Sequence, residues 1–460
     1  MLMAAEFTSR LHLDDVLTSE NAAAVADWLQ AVDDHGERAY QVAGLSRSQM
    51  RRLGELLDSE SGIELYESVD DRLAADVLRQ LPPARVAAFL DLLDSDHAGN
   101  VMREVDDRTR EAWLSALPLP RATVLRDLLA WPKHSVAAHM VPETLTVGPD
   151  MTAATAVDAI RGHAAQVRSD SRTGAYIFVT DDDNRLVGVV PFRNLVLAGA
   201  DRTVENLMET DVLALSPLTD QEEAAQLLID HRLVALPVVD ADHRLLGLLT
   251  ADDAADIAEE EATEDAERQG GSAPLEVPYL RASPWLLWRK RIVWLLVLFA
   301  AEAYTGTVLR AFEEELDAVV ALAFFIPLLI GTGGNTGTQI TTTLVRAMAT
   351  GQVRFRDVPA ILAKEMSTGV MIALAMAAAA VIRAWTLGVG AEVTLTVTLS
   401  VAAIVLWASF VASILPPLLK KCRVDPAVVS APMIATIVDG TGLLIYFTIA
   451  KMTLSQLAGL

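Results

Sequence analysis

Apolar and polar residues follow three successive regimes along this chain. Up to about residue 130 the apolar positions recur at helical spacing. Two stretches there, LLDSESGIELYESVDDRLAADVLRQLPP (56–83) and LLDSDHAGNVMREVDDRTREAWLSALPL (92–119), share LLDS, VDDR and a closing Leu-Pro at a constant offset of 36 residues. A repeat of that length with helical patterning predicts a right- or left-handed stack of helix pairs over roughly residues 15–130. Short apolar runs bounded by turn residues come next. DDNRLVGVV (182–190) matches ADHRLLGLL (241–249) at offset 59, and MVPETLTV (140–147) matches METDVLAL (208–215) at offset 68. Each copy reads as short strand, helix, apolar strand (175–180; 235–239), turn, strand and helix. The difference between the two offsets places a longer helix-to-strand loop around 166–174 in the first copy. Beyond residue 285 long apolar runs take over, with candidate spans at about 292–309, 318–344, 358–382, 393–419 and 427–450, each near or above the ~20 residues needed to cross a bilayer. Lys364 and Glu365 intrude near the start of the third.

The predicted fold class is therefore a multidomain membrane protein. It comprises an all-α helical-repeat N domain (1–131), an α/β tandem-repeat module (132–251), an acidic connecting helix with its linker (252–284) and an α-helical membrane domain of five spans (285–460).

Charge sharpens this division. The chain carries −24 overall, yet residues 281–460 hold 14 Lys+Arg against 10 Asp+Glu, which leaves −28 on the first 280 residues. So acidic a soluble part favours cations and excludes nucleic acid as a partner. A single cysteine, Cys422, excludes a disulfide framework and a thiolate metal cluster. The N-terminus MLMAAEFTSRLHLDD lacks the basic start and apolar core of a signal peptide, so the soluble part is expected in the cytoplasm. Basic residues cluster before the first span (Arg281, Arg289, Lys290, Arg291), between the second and third (Arg346, Arg354, Arg356) and between the fourth and fifth (Lys420, Lys421, Arg423). By the positive-inside rule the N-terminus is cytoplasmic and the C-terminus outside, in a cytoplasmic membrane of bacterial type.

Candidate chemistry sits inside the apolar part. All eight His precede residue 244, so the spans offer oxygen ligands, which suit hard cations such as Mg²⁺, Ca²⁺ or Mn²⁺. Asp439 is the carboxylate deepest within an uninterrupted apolar run, and a charge there costs at least ~2.5–3.5 kcal/mol unless it faces a cavity or pore. Glu302 in the first span is a second candidate, for a pore or outer vestibule. In the second span the segment GTGGNTGTQ (331–339) brings glycine and amide to mid-membrane depth. Glycine there either lets helices approach closely or lets the backbone turn and present carbonyls towards protein or water. Asn335 and Gln339 share a face if the helix continues. Gly331, Gly334, Thr338, Gln339 and Thr436 are the candidate pore lining, with Asn335 a further ion contact.

LIDHRLVALPVVDADHRLLGLLTADD (228–253) resembles a CBS repeat, and two in tandem resemble a Bateman module. That resemblance implies adenosine-nucleotide binding, ATP or another, through Thr250 and Asp253; the first copy departs, with Pro191 and Asn194 in those places. The whole order, with PLLIGTGGNTGTQ (327–339), EEEATED (259–265) and SAPMIATIVDGTGLLIYF (430–447), resembles the MgtE family of magnesium channels. WPKHSVAAHM (131–140) departs from the usual entry to the first CBS repeat. The resemblance implies a Mg²⁺ channel in the lipid bilayer, a homodimer with its pore on the dimer axis, and two copies of Asp439 facing each other. It further implies gating by Mg²⁺ on acidic clusters at Asp94 and Asp96, Asp220 and Glu223, and Asp253, Asp256 and Glu259. Broader selectivity for Mn²⁺ or Co²⁺, and a nucleotide-sensing CBS membrane receptor without transport, are the alternatives. An intramembrane enzyme would need a nucleophile with its base, or a metal with His ligands, and the spans lack His entirely.

Overall fold

The computed structural model describes residues 12–19, 21–163, 176–275, 277, 279–422, 424–426 and 431–457, and the chain divides into two compact units, Met1–Glu261 and Ala262–Leu460. In the first unit ten helices follow one another: α1 (Leu13–Thr18), α2 (Ala22–Ala31), α3 (His35–Ala43), α4 (Arg47–Leu56), α5 (Ser59–Glu67), α6 (Asp71–Leu78), α7 (Pro83–Leu90), α8 (Ser95–Arg103), α9 (Asp107–Ala116) and α10 (Leu119–Leu129). The sequence repeat is visible in the starts: α8, α9 and α10 each begin 36 residues after α5, α6 and α7. Capping explains why the starts are fixed. Asp58, Asp70 and Asp106 each accept a hydrogen bond from the backbone N–H three residues on, at 2.8, 2.8 and 3.0 Å, and this satisfies a donor that the first helical turn leaves open. Asp94, the counterpart of Asp58, makes no such cap bond. Leu53, Leu65, Leu73, Leu78, Val86 and Leu90 lie in the shared apolar core.

The tandem repeats follow the predicted order. The first contains β1 (Thr146–Val147), α11 (Ala153–His163), β2 (Tyr176–Thr180), β3 (Leu186–Pro191) and α12 (Phe192–Leu197); the second contains α13 (Gln221–His231), β4 (Ala235–Val239), β5 (Leu245–Thr250) and α14 (Ala251–Gln269). β1 runs parallel to β2, and β2 is antiparallel to β3, as β4 is to β5. In the second copy the short first strand shrinks to one parallel bridge, Leu215 to Val238. The two hairpin turns are alike in chemistry as well as position. Asn184 and His243 adopt φ of 61° and 63°, while Asp181 and Asp240 each accept two backbone N–H bonds across the turn. These aspartate bonds hold each turn closed, and the Asn184 side chain itself donates across to Leu245 O of the second copy at 3.0 Å. The loop expected at 166–174 lies outside the described residues.

The second unit holds α15 (Pro284–Ala311), the short α16 (Glu313–Ala318), α17 (Ile326–Ala349), α18 (Val358–Leu387), α19 (Ala391–Lys421) and α20 (Ala431–Thr453). Among the described residues five helical stretches are long and apolar enough to cross a membrane. Their ends differ from the hydropathy runs: α15 begins eight residues earlier than expected, because Ser283 caps it and Pro284 opens it; the second stretch begins with a 3-10 segment, Val320–Phe325. The expected fifth span began at 427, and residues 427–430 lie outside the description. α18 buries Gly369, Ala373, Ala380 and Ala384, and a Cβ at Gly369 would stand 2.7 Å from Ser409 Oγ of α19. Small residues four apart bring these two helices together where apolar surface gives no advantage over lipid.

Candidate functional site

The glycine-rich segment 331–339 does not turn. It stays α-helical within α17, so of the two uses of glycine weighed above, close approach is the one realised. A Cβ at Gly333 would lie 2.6 Å from Ile404 Cγ2 of α19 and 2.7 Å from Val438 Cγ1 of α20, and one at Gly337 would lie 2.5 Å from Ile434 Cγ2. These separations are well inside carbon–carbon contact, so only glycine permits α17 to sit at this distance. The sequence reading named Gly331 and Gly334 and passed over Gly333 and Gly337, although their four-residue spacing is itself a helix-packing signal. Gly331 faces open space.

Gly334 places the α17 backbone against Asp439: a Cβ there would be 3.2 Å from Ala435 Cβ and 3.5 Å from Asp439 Oδ1. That carboxylate oxygen is buried and has no hydrogen-bond partner among the described residues. Hydroxyls on α17 and α20 donate elsewhere, while Thr305 Oγ1 on α15 is buried and has no partner among the described residues. Thr436 donates to Pro432 O at 3.0 Å and Thr441 to Ile437 O at 2.7 Å, while Thr338 reaches Ala431 O at 3.5 Å. On α15, Tyr304 and Thr305 pack on Gly440, and exposed Glu302 lies within electrostatic reach of Asp439. Gly331, Asn335 and Gln339 share one exposed face of α17. Amides on a spanning helix avoid hydrocarbon and require a protein or water neighbour.

At the other end of α20, Lys451 pairs with buried Glu315 at 2.7 Å, and Lys451 Nζ lies 5.5 Å from the centre of the Phe312 ring. Phe312 stacks on Phe447 at 4.6 Å, and the Tyr446 hydroxyl donates to Leu322 O at 3.0 Å. The hydrogen bond from Lys451 holds the Glu315 carboxyl below its usual range. Nothing in the sequence marked this anchor.

The first unit concentrates acids around α8 and the start of α14. Burial, with the nearby Asp96 carboxylate next, pushes Asp253 well up, and burial pushes Asp256 up. His97 answers them: burial opposes its charge, but Asp71 at 3.9 Å together with Asp96 and Asp253 outweighs burial and raises its pKa. Asp96 is buried, with Oδ1 unpaired. Asp96, Asp253 and Asp256 are thus brought into one electrostatic group, which also contains His97, a residue that the reading of acidic positions missed. Asp220 instead caps α13 through the Glu222 N–H at 3.0 Å, and Glu223 is exposed on that helix. Thr250 Oγ1 donates to Asp253 Oδ2 at the head of α14. No group of three or more His, Cys, Asp or Glu among the described residues is arranged to hold a metal ion.

Family models match three parts of this chain: a divalent cation transporter domain at 326–449, an MgtE intracellular N domain at 21–134, and CBS domains at 136–201 and 204–260. A magnesium transporter MgtE of Thermus thermophilus is 39% identical over 317 residues, 68% of this chain and 69% of the relative, and one of Bacillus subtilis is 30% identical over 72% of each. The chain belongs to the MgtE family. Among solved structures, the cytosolic domain of the Mg²⁺ channel MgtE in complex with ATP is 27% identical and covers 51% of this chain and 99% of that one, with a TM-score of 0.38. The MgtE transporter domain contains Asp439, Gly334 and Asn335 together, so the close-packed α17–α20 pair and its unpartnered carboxylate lie within the matched region.

Proposed function

We propose that this chain is a Mg²⁺ channel rather than an enzyme, importing the ion down its electrochemical gradient through a pore on the axis of a homodimer. The observation that carries the reading is the buried Asp439 Oδ1 without a partner, held against the Gly334 backbone in the middle of an apolar span. A carboxylate held that way costs several kcal/mol unless an ion or water meets it. Mg²⁺ gives up its waters reluctantly, so two such carboxylates facing each other would hold it through retained water. The exposed Gly331, Asn335 and Gln339 face supports a second copy or a hydrated path, with Thr338 and Thr436 beside it and Glu302 at the vestibule. Each charge gains about 2.3 kcal/mol per 100 mV, so a divalent ion needs no other energy source to enter.

Regulation follows from the acidic group. Asp94, Asp96, Asp253, Asp256 and Glu259 would hold regulatory Mg²⁺, with Asp220 and Glu223 as a separate contact. Burial and, after it, the Asp96 carboxylate raise Asp253, and a bound divalent ion relieves the second of these. Asp253, Asp256 and Glu259 all lie on α14, so compaction of the acids acts on that helix. Thr250 and Asp253 are the place for an adenosine nucleotide such as ATP at the CBS pair. Orientation with the N-terminus inside and the C-terminus outside completes the reading.

The test is Mg²⁺ uptake into proteoliposomes holding the intact protein or Asp439→Ala. Uptake abolished by the substitution supports the pore role. Undiminished uptake makes Asp439 structural, and Mn²⁺ or Co²⁺ entering as fast as Mg²⁺ selects the broader divalent channel. Absence of uptake by either protein, with retained nucleotide binding, selects the receptor reading.

A further inference from the structure

The stretch 277–301 reverses the charge of the molecule. In a chain of net −24 it contains Arg281, Arg289, Lys290 and Arg291 and no Asp or Glu. From Pro284 on it forms the first part of α15, and two tryptophans are exposed there: Trp285 and Trp288 are 68% and 50% exposed and stack with ring centres 4.5 Å apart. Helical spacing puts Trp285, Trp288 and Arg289 on one face, and the same face continues down the span through Ile292, Leu296 and Phe299. Leu296 and Phe299 are 59% and 77% exposed. Arg289 is exposed and makes no ion pair among the described residues.

We propose that this face of α15 is a binding surface for an anionic phospholipid, with the headgroup phosphate on Arg289, the Trp285–Trp288 stack beside it at the polar boundary and an acyl chain along Ile292, Leu296 and Phe299. Three physical arguments fit that occupant. Indole rings partition to the headgroup boundary, where one edge is apolar and the other can donate to a phosphate or carbonyl oxygen. The apolar stripe beneath has the length and direction of an acyl chain lying beside a spanning helix. A guanidinium unpaired by protein finds its complement in a phosphate and binds it through two N–H groups. The neighbouring Arg291, also exposed, adds a preference for a net negative headgroup over a zwitterionic one. A second copy of this chain is the competing occupant, and it would have to bury an unpaired guanidinium against its own identical face if the contact were two-fold.

The experiment is native mass spectrometry of the intact, detergent-solubilised protein titrated with phosphatidylglycerol or phosphatidylcholine. The wild type should bind phosphatidylglycerol more tightly, and Arg289→Gln should reduce that preference about fivefold, the factor expected for one interfacial charge. Arg289→Lys should keep most of it, and Arg310→Gln, at the opposite end of α15, should keep all of it. Trp285→Ala with Trp288→Ala should weaken both lipids. An unchanged preference in Arg289→Gln, or an equal loss in Arg310→Gln, overturns the assignment. So does efficient disulfide cross-linking of Trp285→Cys in the bilayer on a Cys422→Ser background, which would show that a second copy covers the face.

Discussion

Substituting alanine at Gly333 separates close packing from mere helix flexibility. In a helix interior Gly→Ala ordinarily stabilises by about 1 kcal/mol. At Gly333 the added methyl would sit 2.6 Å from Ile404 Cγ2 and 2.7 Å from Val438 Cγ1. Both are methyls of β-branched side chains with little rotamer freedom in a helix, so they cannot swing aside. To restore contact near ~3.6 Å, α17 must retreat by about 1 Å from α19 and α20 together. Overpacking of this kind costs ~1–3 kcal/mol, which cancels or outweighs the propensity gain. Gly306 is the reference: it lies inside α15 with nothing near a built Cβ, so Gly306→Ala should show the ordinary gain. The two variants should therefore differ by about 1–3 kcal/mol, with Gly306→Ala above wild type and Gly333→Ala level with it or below, read as thermal unfolding midpoints several degrees apart in the same membrane mimic. Because Val438 precedes Asp439, Gly333→Ala should also slow Mg²⁺ uptake while Gly306→Ala leaves it unchanged. A Gly333→Ala protein that melts as high as Gly306→Ala and transports normally would refute the argument that glycine sets this interhelical distance.

Lys451→Met should destabilise by about 2 kcal/mol, below the full cost of breaking a buried pair because the Lys451 side chain is 40% exposed; chemical or thermal unfolding measures it, and exchanging the two residues, Glu315→Lys with Lys451→Glu, should recover part of the loss. Since the folded-state pKa of Glu315 is lowered, its contribution is present above the ordinary Glu range near pH 4.3 and fades as pH falls through the lower folded value. A pH-stability profile of Lys451→Met should therefore converge on that of the wild type only at acid pH. Thr250 Oγ1 also accepts from the Asp253 N–H at 3.5 Å, so Thr250→Ala should cost about 1 kcal/mol through loss of this cap on α14 and should weaken ATP binding measured by calorimetry; a variant that binds ATP as the wild type does places the nucleotide elsewhere.

The amino-acid sequence by itself determined the architecture wherever period and punctuation agree. The 36-residue repeat, with aspartates just ahead of helices, specifies the α5–α10 stack, because capping acts between neighbours in the chain. The paired Asp181–Asn184 and Asp240–His243 turns are likewise local and were legible as matching hairpins. Five apolar runs and the positions of Lys and Arg describe membrane spans for the same reason: transfer to lipid is summed residue by residue. Asp439 was visible because a lone carboxylate in such a run is costly whatever surrounds it.

What the sequence left open depends on which surfaces meet. Glycine at 331–339 was compatible with a turn or with close packing, and only the positions of Ile404, Ile434 and Val438 selected the helix and singled out Gly333 and Gly337. Asp94 and Asp220 looked like equivalent acids; the fold puts Asp220 on a helix cap and leaves Asp94 without a cap bond. His97 and the Glu315–Lys451 pair were silent in the sequence because a single charge has no period. Their roles arise when residues far apart in the chain share a low-dielectric site, and the tertiary structure alone sets that distance.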